Sequence, residues 1–274
     1  MSITVHHLSC GTLCPFSRRL VNGEGGWLEP GHLCCHVLLL ETEQGLVLVD
    51  TGMGEADLSQ PSRLPTFLRW QLGLQMDTAH SALAQVRELG LDPADVRHIL
   101  LTHLDFDHAG GLTDFPQAQV HLHLREREAA MARRSFMEKQ RYLPTLWQHA
   151  VDWRTHAPEG EAWEGFAAAR AIPELGEDIL LIPLHGHTQG HSGIAVRGDK
   201  GWLLHCGDAY FHHGEMEQSP HGPAGLLGYE RLIAMDDQQR RENQHKLREL
   251  RSRRSDLRLF CAHDPDELNA CQQA

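Results

Sequence analysis

The feature that most constrains this chain is a short apolar strand running straight into a cluster of histidines and aspartates, an arrangement that recurs. Residues 96–101 read as a buried strand and lead into His103-Leu104-Asp105-Phe106-Asp107-His108, with Gly110-Gly111 next. Residues 178–184 lead into His185-Gly186-His187-Thr188-Gln189-Gly190-His191, residues 202–205 into Cys206-Gly207-Asp208, and residues 257–261 into Ala262-His263-Asp264. A strand end is rigid, and a short turn after it can aim several side chains at one point. Each cluster alone fits a polar turn, with Asp107 as a helix cap. Together they deliver a ring of ligands to one edge of the sheets. Nitrogen and carboxylate donors mixed within six residues suit a divalent transition metal.

The rest of the chain supplies sheets and helices for that edge. Residues 35–41 and 46–50 form a predicted hairpin, closed by Glu43-Gln44-Gly45 and ending in Asp50-Thr51-Gly52. Residues 53–77 read as an irregular loop with a short helix. Apolar Ala82, Leu83, Val86 and Leu89 predict a helix over 79–89, stopped by Gly90. Further strands are expected at 119–122 and 193–196, a charged helix over 125–140, and a long helix over 229–250. Residues 141–170 carry Trp147, Trp153 and Trp163 with little periodicity. They are a candidate lid or substrate-facing insertion, or equally an irregular segment pinned to the core by its aromatics. Strands fall in two groups with helices between and after them, which predicts one α/β (α+β) domain over 1–274 with two sheets and helices packed outside.

Composition narrows the function. The formal net charge of −12 disfavours unspecific nucleic-acid binding and docking on anionic membranes. The basic run 240–258 fits a solvated helix with i,i+4 ion pairs better than an RNA patch. Twenty-one histidines are many for 274 residues, and their strand-end positions give the number meaning. The seven cysteines show no Cys-x-x-Cys pair and read as buried reduced thiols. The N-terminus lacks signal-peptide character, and no stretch approaches the ~20 apolar residues of a membrane span. A soluble, cytoplasmic protein is expected.

The motifs, in order, resemble the metallo-β-lactamase superfamily over nearly the whole chain. They are Val49-Asp50-Thr51-Gly52, His103 to His108, Gly186 to His191, Asp208 and His263. The resemblance implies a four-layer αββα sandwich, two mixed sheets flanked by helices. It also implies a dinuclear centre, with zinc in both sites as the first expectation. Carried over by position, His103 and His187 hold the first metal, Asp107, His108 and His263 the second, and Asp208 bridges them. His191 and Asp50 become supporting residues. One position departs: Asp105 stands where the family has a second His. If it is a ligand, it makes the first site harder and more negative, which favours iron or manganese more than imidazole does. If it is too short to reach, that site is weak or empty.

The resemblance is closest to the lactonase-like branch, implying metal-activated water that cleaves a small ester or lactone. Asp107 or Asp208 would accept or relay the proton, and Tyr210 would donate to the oxyanion. The alternatives are hydrolysis of a thioester, β-lactam or phosphodiester, and an iron-dependent oxidoreductase motivated by Asp105. The expected partner is a small-molecule substrate, with self-association as a homodimer admitted and no nucleic-acid or membrane partner.

Overall fold

Strand order and apolar patterning dictate a layered structure. The computed structural model describes residues 3–157 and 159–274. Met1 and Ser2, part of the N-terminal reading, and Pro158, within the 141–170 segment, lie outside the described residues. The first sheet comprises β1 (Thr4–Leu13), β2 (Leu33–Thr42), β3 (Gly45–Val49), β4 (Val96–Leu100), β5 (Gln119–His123) and β6 (Asp152–His156), in that spatial order. β1 to β3 pair antiparallel and β3 to β6 parallel. The second sheet comprises β7 (Glu161–Trp163), β8 (Phe166–Ile172), β9 (Gly176–Pro183), β10 (Ser192–Gly198), β11 (Gly201–His205) and β12 (Leu257–Phe260). It is antiparallel except for the β11–β12 pair.

β2 is buried on both faces from Leu33 to Leu40, so both faces of its sheet need cover. Leu38, Leu40, Val49 and Leu100 pack against Ile179, Leu181, Ile194 and Val196 to form the seam between the sheets. On the outer face of the first sheet, Val37, Leu39 and Leu48 pack with Leu83 and Val86 of the helix Ala82–Glu88. Leu247 and Leu250 of the helix Asp237–Arg253 cover the second sheet's outer face beside Leu204 and Leu259. The expected αββα layering is therefore present, with two mixed sheets flanked by helices. Among the described residues, no helix is long and apolar enough to cross a membrane.

Several local expectations change. The loop at 53–77 carries two helices, Glu55–Ser59 and Thr66–Leu72. The 125–140 helix is two, Leu124–Ala132 and Phe136–Arg141, parted by left-handed Arg133 and restarted by a Ser135/Glu138 capping box. The 229–250 helix is also two, Ala224–Ile233 and Asp237–Arg253. β1 carries no clear apolar pattern and was not predicted. Segment 141–170 contributes β6, β7 and part of β8, strands at the far ends of both sheets.

Candidate metal centre

Each strand end delivers one part of the site. After β3 the chain turns at Asp50, whose φ of 58° is unusual for a residue with a side chain. The turn lets the Asp50 carboxylate accept from Thr102 N–H at 2.8 Å, from the Thr102 hydroxyl at 2.8 Å and from His108 Nδ1 at 2.8 Å. His108 is thereby fixed with Nε2 free to face the cluster. The turn after β3 packs backbone to backbone against the His108 loop: a Cβ on Gly54 would sit 2.2 Å from the Gly110 carbonyl oxygen. Thr51 N–H donates to the His108 carbonyl at 2.7 Å, tying the two motifs together.

Asp208 stands at the centre. Its Oδ2 lies 3.7 Å from His103 Nε2 and 3.4 Å from His187 Nε2. Its Oδ1 lies 3.1 Å from His108 Nε2 and 3.2 Å from His263 Nε2. One carboxylate thus presents one oxygen to each of two histidine pairs. Asp105 joins the first pair, with Oδ2 3.4 Å from His103 Nε2 and 3.2 Å from His187 Nε2. The shorter side chain therefore reaches. Asp107 Oδ2 is 3.7 Å from His263 Nε2 in the second group. His103 Nε2, His108 Nε2, Asp105 Oδ1 and Asp208 Oδ1 are buried without a hydrogen-bond partner. Buried polar atoms are rarely left unpaired, and converging nitrogen and carboxylate donors fit divalent cations.

The charges are mutually supporting. Burial opposes ionisation of Asp208, but His263, His108, His187 and His103 hold its carboxyl well below the usual range. Burial likewise opposes Asp105, and Arg141 is foremost among the groups holding it well below that range. Asp107 is pushed up by burial, partly offset by His108 and His263. Burial and Arg141 bring His187 down to about 4, so it is neutral and able to ligate at neutral pH.

His191 is outside the ligand ring. Its Nδ1 donates to the Leu184 carbonyl at 2.9 Å and its Nε2 accepts from Asp208 N–H at 2.9 Å, which positions the central aspartate. His185 donates to the His191 carbonyl at 3.1 Å and packs on His123. Tyr210 is not brought to the cluster. It is fully buried, with its hydroxyl 3.0 Å from both Glu267 carboxylate oxygens.

Three residues that the sequence did not single out complete the site. Glu126 on the helix Leu124–Ala132 accepts from Leu104 N–H at 3.1 Å, Thr188 Oγ1 at 2.6 Å, Gly190 N–H at 3.0 Å and Tyr142 hydroxyl at 3.1 Å. It binds the second and third histidine motifs to each other. Arg141 donates to the His187 and Ile233 carbonyls at 2.7 Å each, with Nε 3.4 Å from Asp105 Oδ1. Tyr229 lines the cavity with Asp105, Asp107 and Asp208. Glu126 and Arg141 sit among other charged residues on their helices and Tyr229 follows no motif, so only tertiary contact gives them meaning.

The cluster floors a cavity of about 500 Å³. Leu68, Leu72, Phe136, Met137 and Ile233 are among the residues lining it, and Phe211 packs on His187 and His263. Phe67, Phe136 and Leu232 are largely exposed at its mouth. Among the described residues of segment 141–170, only Arg141 lines it.

Known proteins share this chain's sequence and fold. Residues 33–263 match the family model described as the metallo-beta-lactamase superfamily. A protein named a probable metallo-hydrolase, from Mycobacterium tuberculosis, is 41% identical over 265 residues, covering 96% of this chain and 81% of that one. An N-acyl homoserine lactonase of Bacillus cereus is 27% identical, covering 94% of this chain and 92% of its own length. A solved N-acyl homoserine lactone hydrolase, with N-hexanoyl-L-homoserine bound at its catalytic metal centre, superposes with a TM-score of 0.75 at 21% identity, covering 99% of this chain and 97% of that one. With these likenesses beside the strand-end cluster of histidines and aspartates, the chain belongs to the metallo-β-lactamase superfamily and is a metallo-hydrolase.

Proposed function

We propose that the protein hydrolyses a small ester or lactone bearing an apolar acyl chain, using a dinuclear centre. His103, Asp105 and His187 would hold one ion, Asp107, His108 and His263 the other, and Asp208 would serve both. The observation that carries this reading is Asp208, whose two oxygens each face a separate histidine pair on the floor of an apolar-walled cavity. Zinc is the first choice of metal, with iron or manganese favoured at the half containing Asp105.

Divalent ions held there would bring the pKa of a bound water down to about 7 and would polarise the substrate carbonyl. The chain supplies the rest. Asp107, whose carboxylate faces His263 at the cavity, would take the proton from the attacking water and return it to the leaving alkoxide. Tyr229, in the cavity wall, donates to the developing oxyanion, the role expected of Tyr210. The walls that include Phe136, Met137 and Ile233 take the acyl chain and exclude water. The substrate is the only partner this chemistry needs, whether the chain acts alone or as a homodimer.

The test is a panel of lactones and aryl esters of rising acyl length on metal-saturated enzyme. The expected result is chelator-sensitive cleavage with kcat/KM rising with chain length, and a kcat reduced up to about 10²-fold in Tyr229→Phe. No cleavage of any ester or lactone sinks the reading. An unchanged kcat in Tyr229→Phe removes Tyr229 from it.

A further inference from the structure

The two halves of the centre differ in what surrounds them. Cys35 lies on β2, fully buried, one residue after Cys34, whose carbonyl accepts from His263 Nδ1 at 2.7 Å. The Cys35 sulfur and the ligand atoms of Asp107 and His263 all lie within 4.8 Å of one another. It is seated against Gly11, where an added Cβ would come within 2.8 Å of the sulfur, and that glycine's φ of 144° disfavours any other residue. At a tetrahedral ion, Zn–S and Zn–N bonds of about 2.3 and 2.0–2.1 Å set the two donors about 3.6 Å apart. The three ligand atoms, each within 4.8 Å of the others, would close by up to about 1.2 Å to share an ion.

From this juxtaposition we infer that Cys35 is an additional, soft ligand of the second ion, making the centre chemically asymmetric. The inference rests on the dinuclear reading. In the first half, Asp105 replaces an imidazole with a carboxylate and Arg141 stands behind it. In the second, a thiolate joins Asp107, His108 and His263. On ion binding the Cys35 S–H bond breaks heterolytically, the proton passes to solvent and the sulfur pair is donated to the cation, with no change of oxidation state. Thiolate selects zinc over manganese or iron, whereas the carboxylate-rich half is open to the harder ions. The two positions then fill with different metal preferences.

Cobalt(II) added to the metal-free full chain reads this directly. Two cobalt ions per chain with a near-ultraviolet thiolate-to-cobalt charge-transfer band support the inference. The band is to disappear in Cys35→Val and persist in Cys34→Val, while Cys35→Val weakens the second equivalent by at least about 10-fold. X-ray absorption on the zinc-loaded wild type, which needs no variant, is to show one sulfur scatterer at about 2.3 Å. Two bound cobalt ions without the band, or a band that survives in Cys35→Val, overturns Cys35 as a ligand and leaves the dinuclear centre standing. Binding of a single cobalt ion overturns the dinuclear reading itself.

Discussion

Asp105 is the residue on which the chemistry of the first half turns. From the sequence it is ambiguous, because a side chain shorter than histidine can fall short of the metal. The loop solves the distance: Asp105 stands at the N-terminal boundary of the helix Phe106–Ala109 without capping it, and its carboxylate is turned to His103 and His187. Arg141 then compensates the extra negative charge, and no local pattern around residue 141 announces this. Asp105→Ala is expected to lower metal content from two toward one ion per chain. It is also expected to destabilise the fold by roughly 3 kcal/mol, because Arg141 is left buried without its charge partner. Elemental analysis and urea unfolding check both, and full retention of two ions removes Asp105 from the ligand set.

At the scale of elements, the strands that end in the site were legible because a continuous apolar run followed by His or Asp is a strong, local signal. β4, β9, β11 and β12 all appear within two residues of their expected bounds. The helix breaks were not legible. No Gly or Pro interrupts 229–250, yet the chain leaves the helix at Ala234, where Met235 N–H donates to the His187 carbonyl and Asp236 N–H to the Gly186 carbonyl. The break exists to hold the third histidine motif, a long-range demand that periodicity cannot carry. The Ser135-x-x-Glu138 box was a readable restart signal that the charged pattern of 125–140 obscured. β6 and β7 were hidden for another reason: they are short end strands, largely exposed, with no apolar alternation to find. Glu126 ties two of these loops through four hydrogen bonds. Glu126→Ala leaves buried donors at Leu104 and Gly190 unpaired, with an expected loss of roughly 3 kcal/mol and weaker metal binding. Glu126→Gln is to recover part of both in denaturant titration and metal competition. Equal stability of wild type and Glu126→Ala contradicts the role.

For the whole molecule, stability and the site share a framework but not all their titrating groups. Glu267, behind the second sheet's edge, is raised from its ordinary value to about 7, with burial the main cause. The folded chain therefore holds this proton more tightly than the unfolded chain between about pH 4.5 and 7. Its contribution favours folding at low pH and is lost as pH rises through 7, a difference of roughly 3 kcal/mol. Glu267→Gln keeps an acceptor for Cys261 N–H and removes the titration. The melting temperature of wild type is expected to fall relative to Glu267→Gln between pH 5 and pH 8, and a constant gap contradicts this. On the same scale, the sandwich places its strand ends so that residues as distant as Asp50 and His263 serve one centre. That convergence gives the histidine content its meaning. The most direct test of the centre is elemental analysis of purified wild type beside Asp208→Ala, both equilibrated with excess zinc. The predicted result is two ions per wild-type chain, with at most one retained and hydrolysis lost when the shared carboxylate is removed. One ion in the wild type, or two still bound in Asp208→Ala, would contradict it.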